Sequence, residues 1–335
     1  MTKPKFNALY LLLSRDSMEK IYGPVEQADI AARVNVAHPL LTPEDYRASE
    51  QVWPEVEIIF SGWDMTPVDE EFLRRFPRLQ IIFYGAGTIK YFATPALWQR
   101  DVRVTSAAVA NAVPVSEFAI SQILFGLKQG WQQALFTRAN GRYPEPITPA
   151  GGYRSIVGLI SLGMIGRMVA ERLATFDAHV IAYDPFATPE AARRWNIEMV
   201  SMDELFSCSD VVSCHAPLLK ATEKMIGERH FAAMKPGATF INTARGAVVN
   251  EEEMIAVLHR RPDLMAVLDV THPEPPIPGS PLYSLGNVVL TPHIAGSLGQ
   301  ECQRMGRTMV EELDRFLSEQ PLRYEVSEAS AATMA

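Results

Sequence analysis

The sequence predicts an α/β protein made of two doubly wound parallel-sheet units. Three observations carry this prediction. The chain has 335 residues, which suits about two domains of ~150 residues each. Short apolar runs alternate with amphipathic stretches in two successive series, and such strands belong to parallel sheets covered by helices on both faces. A glycine-rich turn at Gly158–Gly166 joins one of those strands to a helix.

The first series places strands at Ala8–Leu13, Arg33–Ala37, Val56–Ser61, Leu79–Tyr84 and Val102–Thr105. A helix at Pro67–Arg75 opens with proline and acidic residues, the signature of a helix start. A long helix is expected from Pro114 to about Asn140. Pro114 sits in its first turn, and Ile120, Ile123, Leu124 and Leu127 form its apolar face. Gly141–Tyr153 is rich in Pro and Gly and reads as an exposed loop. The second series places strands at Ser155–Ile160, Val180–Tyr183, Val211–Cys214, Thr239–Asn242, Met265–Asp269 and Val288–Thr291. Helices are expected at Met164–Phe176, Met202–Ser207, Glu228–Met234 and Glu251–Arg260. Asn250 introduces the last of these, with Glu253 at the capping-box position. A final amphipathic helix runs from Gly299 to about Ser318, and the polar tail after it is expected to be disordered.

Composition narrows the function classes. The net charge is −8 and no Lys/Arg-dense run occurs, which argues against nucleic acid as a partner. Ala8–Leu13 is the longest apolar run near the start, far short of the ~20 residues of a membrane span. Lys3 and Lys5 precede it, but no small-residue cleavage site follows, so a secretory signal is not expected. Cys208, Cys214 and Cys302 have no metal-ligand spacing and read as free thiols in the cytoplasm. No metal is expected.

The glycine turn reads Val157-Gly158-Leu159-Ile160-Ser161-Leu162-Gly163-Met164-Ile165-Gly166. Gly163 lets a backbone approach a pyrophosphate, and Gly166 lets the helix pack on the sheet. The helix start then offers unpaired N–H groups to phosphate oxygens. Ser161 stands where the G-x-G-x-x-G fingerprint has its first glycine. Asp184 ends the next strand, close to the usual spacing of roughly 20 residues for a carboxylate that accepts from the adenosine ribose. No Arg follows it at Pro185–Thr188, so NAD (NADH) is expected and NADP is disfavoured.

Three later segments place ionisable groups at or beyond strand ends, where doubly wound sheets bind ligands. They are Asn242–Gly246 with Arg245, Asp269–Pro275 with Glu274, and Thr291–Gly296 with His293. An Arg, a Glu and a His suggest an anion clamp and an acid/base imidazole with a carboxylate partner. Taken singly, each also fits a surface ion pair, a solvated carboxylate or a structural histidine.

These segments resemble the D-isomer-specific 2-hydroxyacid dehydrogenase family. The likeness runs from about Leu79 to Gly296. It includes Gly85-Ala86-Gly87, Asn111 with Val115-Ser116-Glu117, the glycine turn, His215-Ala216-Pro217-Leu218 and Met234–Ala238. Asn242–Gly246, Leu268–Val270 with Glu274-Pro275, and Thr291-Pro292-His293 complete it.

The resemblance implies a flavodoxin-like substrate domain, residues 1–110 and 297–335, and an inserted Rossmann cofactor domain, residues 111–296. The active site is expected in the cleft between them. Arg245, Glu274 and His293 are the implied catalytic residues. Ala86 and Gly87 join Arg245 and His293 in binding substrate, through a loop whose backbone N–H groups hold its carboxylate. Implied cofactor contacts are Ser161, Leu162, Gly163, Met164, Ile165, Gly166, Asp184, His215, Ala216, Pro217 and Thr222. Thr243, Ala244, Arg245, Asp269, His293 and Gly296 extend that set, with Asp269 near the nicotinamide amide. The helix from Pro114 resembles the segment through which two cofactor domains form a homodimer.

The implied reaction is hydride transfer between nicotinamide C4 and C2 of a small 2-oxo or 2-hydroxy acid. Two departures stand out besides Ser161. Thr88-Ile89-Lys90 follows Gly87 where relatives carry Asp nearby, and Thr271-His272 stands where Phe-Glu is common. Formate- or phosphite-type dehydrogenases and an NAD-sensing, corepressor-like binding protein are the alternatives. Glu274 argues against the formate type, and Ala86-Gly87 in place of a Lys argues against the phosphite type.

Overall fold

The computed structural model describes residues 5–145, 149–193 and 195–334. Lys3 and positions 146–148 of the expected 141–153 loop lie outside the described residues. The chain divides into two compact units, Met1–Asn111 with Ser297–Met334, and Ala112–Gly296.

The first unit is built on β1 (Asn7–Leu11), β2 (Asn35–Leu41), β3 (Ile58–Ser61), β4 (Ile81–Tyr84) and β5 (Arg103–Ser106). They form a parallel sheet in the order β2-β1-β3-β4-β5, the flavodoxin-like winding. Both faces are covered, which is why β3 and β4 are buried at every position. Leu9, Leu11, Ile59, Ile82 and Val104 pack on one face. Ala8, Tyr10, Ile58, Phe60 and Phe83 pack on the other, with Met305 and Met309 of the helix Glu301–Leu317.

The tail is ordered, contrary to expectation. The fully buried Glu312 accepts the N–H groups of Arg323 at 3.0 Å and Tyr324 at 3.1 Å. Glu325 then forms an antiparallel bridge with Thr105, and Val326 N–H donates to Val104 O. Val326 and Ala331 enter the core. Composition suggested disorder because the tail is polar, and composition does not show the buried carboxylate on the preceding helix or the pairing with Val104 and Thr105 of β5.

The second unit adds β6 (Ile156–Ile160), β7 (His179–Tyr183), β8 (Glu198–Met199), β9 (Val211–Cys214), β10 (Thr239–Asn242), β11 (Met265–Leu268) and β12 (Val288–Leu290). The order is β12-β11-β10-β9-β6-β7-β8, all parallel. Winding leaves β6 in both directions, so the topological switch point lies between β6 and β9. The two-residue β8 at the edge was not anticipated.

Three helix expectations need correction. The helix at Pro67–Arg75 begins only at Glu70, capped by Asp69, whose carboxylate accepts Phe72 N–H. The single helix from Pro114 is two helices, Ala108–Leu127 and Gly130–Asn140. Pro114 lies inside the first rather than in its opening turn. The break falls at Gln129, with φ +50°, where the Phe125 ring fills the space beside Gly130 and leaves no room for a side chain. Asn250 makes no side-chain cap. Glu253 reaches away from its own helix start to accept Glu228 N–H at 2.7 Å. Among the described residues, Ala108–Leu127 alone is long and apolar enough to cross a membrane by length and composition. Its Ala119, Ile123 and Leu127 are buried in the core of the second unit.

Candidate active site

The glycine turn leaves β6 at its carboxyl end. Ser161 takes the left-handed conformation, φ +76°, that the missing glycine would adopt without strain. A Cβ on Gly166 would lie 2.0 Å from Ser161 O, so only glycine lets the helix Met164–Leu173 approach the turn. Gly163 differs, because its added Cβ would meet only Ser161 Oγ, at 3.6 Å. No side chain caps the helix start there, so its first amides are left without a capping partner.

Asp184 braces this turn. One carboxylate oxygen accepts Leu162 N–H at 2.7 Å, with Ser161 Oγ 3.4 Å away. The other accepts the N–H groups of Phe186 at 2.7 Å and Ala187 at 3.0 Å. Asp184 therefore has a structural duty besides any contact with ribose.

Two polar atoms at the ends of β9 and β10 are buried without a hydrogen-bond partner among the described residues, His215 Nδ1 and Thr243 Oγ1. His215 is 5% exposed, and burial pushes its pKa down to about 4, so the ring is neutral. Its Nε2 lies 3.1 Å from Ser213 Oγ. Buried polar atoms left unpaired are costly, and a bound polar ligand would complete them. The open cradle at Gly163, the uncapped helix start and these two atoms fit a dinucleotide. Thr222 fits less well: its hydroxyl accepts Leu219 N–H and donates to Pro217 O, which shapes the turn after Ala216 and Pro217.

Arg245 follows β10 in a loop held by Asn242. The Asn242 side chain donates to Arg245 O at 3.1 Å and accepts Ala244 N–H at 3.0 Å. The guanidinium is largely buried, which lowers its pKa, while the Glu274 carboxylate opposes that shift. It donates to Ala244 O at 2.6 Å. The next residue, Gly246, packs on the backbone of Thr271 and His272.

His293 Nδ1 lies 2.6 Å from Glu274 Oε1. A carboxylate can only accept, so Nδ1 carries the proton and Nε2 is left to exchange one with a ligand. Both side chains are about half exposed, at 50% and 42%. The His293 backbone is in the left-handed region at φ +53°. Asp269, 2% exposed, holds it there. Its carboxylate accepts from Thr291 Oγ1 at 2.5 Å, Ile294 N–H at 2.8 Å and Ala295 N–H at 2.9 Å. Its carbonyl accepts His293 N–H at 3.0 Å. Asp269 is thus the clamp of the histidine loop, which ends the second unit at Gly296.

Residues 127–295 match the family model described as "D-isomer specific 2-hydroxyacid dehydrogenase, NAD binding domain". The chain is 33% identical to a glyoxylate reductase of Thermofilum pendens, over 71% of this chain and 72% of that protein. It is 32% identical to an (S)-sulfolactate dehydrogenase of Chromohalobacter salexigens, over 75% and 82% respectively. The chain belongs to the D-isomer specific 2-hydroxyacid dehydrogenase family. A D-3-phosphoglycerate dehydrogenase of Mycobacterium leprae is 33% identical over 73% of this chain. The chain spans about half the length of the D-3-phosphoglycerate dehydrogenases it matches. Among solved structures, apo D-mandelate dehydrogenase of Rhodotorula graminis superposes with a TM-score of 0.80 at 25% identity, covering 97% of this chain and 98% of that one.

For a member of this family, the second unit brings Arg245, Glu274 and His293 onto loops that follow three neighbouring strands. In the first unit, Ala86 is buried and Gly87 partly exposed in the loop after β4. Sequence reasoning missed Glu251. Its carboxylate accepts His272 N–H at 3.0 Å, and burial raises its pKa. It reads in sequence as an ordinary acidic residue at a helix start. His272 itself is exposed.

Proposed function

We propose that this protein is an NAD-dependent 2-hydroxyacid dehydrogenase that also reduces 2-oxoacids. The observation that carries the reading is the 2.6 Å His293–Glu274 pair, on a loop clamped by Asp269, within the region that matches an NAD-binding domain. When bound, NADH supplies the hydride that reaches the 2-oxo carbon. Arg245 pairs with the substrate carboxylate and polarises the adjacent carbonyl. His293 Nε2 gives its proton to the oxygen that becomes the hydroxyl, and Glu274 holds the imidazolium through Nδ1. In the oxidative direction the neutral ring takes that proton back. The loop that carries Ala86 and Gly87 offers backbone amides to a carboxylate.

Asp184 supports a preference for NAD, because a 2′-phosphate beside it would meet like charge. We also propose a homodimer formed through Ala108–Leu127 and Gly130–Asn140. The second helix has half-buried Trp131 and Leu135 and no fully buried residue. A reducing, cytoplasmic setting is supported by three free cysteines.

The test is NADH oxidation with glyoxylate, pyruvate, hydroxypyruvate and bulkier 2-oxoacids side by side, for wild type, Arg245→Lys and His293→Ala. Turnover should occur in wild type and fall by on the order of 10²–10⁴ in His293→Ala with NADH still bound. Arg245→Lys keeps the charge and loses the planar fork, so KM for the acid should rise. A near-normal rate in His293→Ala refutes the assignment of the proton donor.

A further inference from the structure

The loop after β4 is oriented from behind by one buried hydroxyl. Ser106 closes β5 and is 3% exposed. Its Oγ lies 2.5 Å from Gly87 O and 3.0 Å from Ala86 O, and it accepts Ala108 N–H at 3.1 Å. Its single proton is shared between the two carbonyls. Both peptide bonds that carry those carbonyls are trans. In a trans peptide the C=O and the following N–H point opposite ways. Holding Ala86 O and Gly87 O therefore turns the N–H groups of Gly87 and Thr88 away from Ser106. Among the described residues no acceptor meets either amide. A Cβ added to Gly87 would find nothing within 4 Å, so this side of the loop is open. Two consecutive amides without an acceptor, beside open space, make an anion-receptive concavity.

We propose that Ser106 is a positioning residue that aims the Gly87 and Thr88 amides at the carboxylate of a 2-oxo or 2-hydroxy acid. This rests on the function proposed above. The hydroxyl takes no part in the sheet, since β4 and β5 pair through their backbones. Ser106 N–H is itself tied to Tyr324 O at 3.0 Å, in the tail segment that the buried Glu312 anchors. The hydroxyl is therefore held still while it directs the loop.

Ser106→Ala removes the grip and Ser106→Thr keeps a hydroxyl. In the full-length protein, Ser106→Ala should raise KM for glyoxylate about tenfold, with kcat changed less than about threefold, as expected for lost uniform binding. Oxalate binding to the NADH-loaded protein, read by nicotinamide fluorescence, should weaken by the same factor of about ten. NADH affinity should not change, and Ser106→Thr should stay within about threefold of wild type in both readouts. Wild-type oxalate affinity and KM in Ser106→Ala overturn the proposal. So does a parallel loss of NADH affinity, oxalate affinity and thermal stability, the signature of a merely structural role. If wild type turns over no 2-oxoacid, the reaction is misassigned, and the oxalate comparison still decides what Ser106 does. A wild-type protein that binds no oxalate overturns the anion site and Ser106's role together.

Discussion

Gly246→Ala should disable the protein without touching any group that meets substrate. A Cβ at this position would lie 2.0 Å from Thr271 C, 2.1 Å from Thr271 O and 2.6 Å from His272 N. These are backbone atoms, and no rotamer can relieve the overlap. Reaching ordinary contact at 3.4 Å requires the two strand-end loops to part by about 1.4 Å. One loop carries Arg245 and the other leads to Glu274. A displacement of ~1 Å in a catalytic constellation can cost about 10²-fold in rate. Overpacking of this kind destabilises by about 1–3 kcal/mol. We therefore expect kcat/KM for the best 2-oxoacid to fall by at least ~10²-fold, with NADH affinity within about threefold of wild type. Steady-state kinetics, a fluorescence titration with NADH and a thermal melt read the three quantities. A folded Gly246→Ala protein with kcat/KM near wild type would falsify the claim that backbone contact between these loops sets the catalytic geometry.

The cofactor turn gives the opposite case: Gly163→Ala has room for its Cβ, so the melt should match wild type while NADH binding weakens by about tenfold or more because the pyrophosphate cradle is filled. Equal weakening of stability and binding would argue against a cradle. Wild type should prefer NADH to NADPH by at least about tenfold in kcat/KM, and Asp184→Ser with Pro185→Arg should narrow the gap. The ratio is the readout, because losing Asp184 also frees the amides of Leu162, Phe186 and Ala187. Equal use of both cofactors by the unmodified protein refutes this reading. His215 has a pH signature. Its folded pKa of about 4 lies below its ordinary 6.5, so the unfolded chain takes up the proton first. Its share of stability, roughly 3–4 kcal/mol at ~1.4 kcal/mol per pH unit, is complete above pH 6.5 and lost as pH falls toward 4. Denaturant melts across that window should show a shallower decline for His215→Gln, and identical slopes would remove the assignment.

Much of the fold was legible because buried parallel strands announce themselves. Ile58–Ser61 and Ile81–Tyr84 are apolar without alternation, since helices cover both faces. What escaped was set by tertiary packing rather than by local pattern. Pro114 carries a helix-start signal, yet the helix already runs from Ala108, and interior proline costs one hydrogen bond that the helix tolerates here. Glu253 has the spacing of a capping box, but a better-placed donor waits at Glu228. The tail after Ser318 is polar and small, and the buried Glu312 together with the pairing to β5 reveals why it is ordered.

At the site, sequence indicates which residues matter more readily than what each one does. Arg245, Glu274 and His293 stand out by type and by position after strands. Asp269 stands out equally, yet three protein donors already occupy its carboxylate. That arrangement explains a feature no pattern shows. A histidine at φ +53° carries strain of about 1–3 kcal/mol and persists only because its surroundings hold it there. Asp269 supplies the hold by binding the residues on either side of His293, while Glu274 fixes the ring itself. Backbone and side chain are thus oriented by separate carboxylates on one loop system, and Gly246 sets the spacing between that system and Arg245. Ser161 follows the same logic at the cofactor turn. It accepts a left-handed backbone that glycine would take freely, and Asp184 braces the turn by receiving Leu162 N–H. In both places an aspartate at or just past a strand end stabilises an unfavourable loop conformation, so the residue that looks like a ligand contact is first a support for its neighbours.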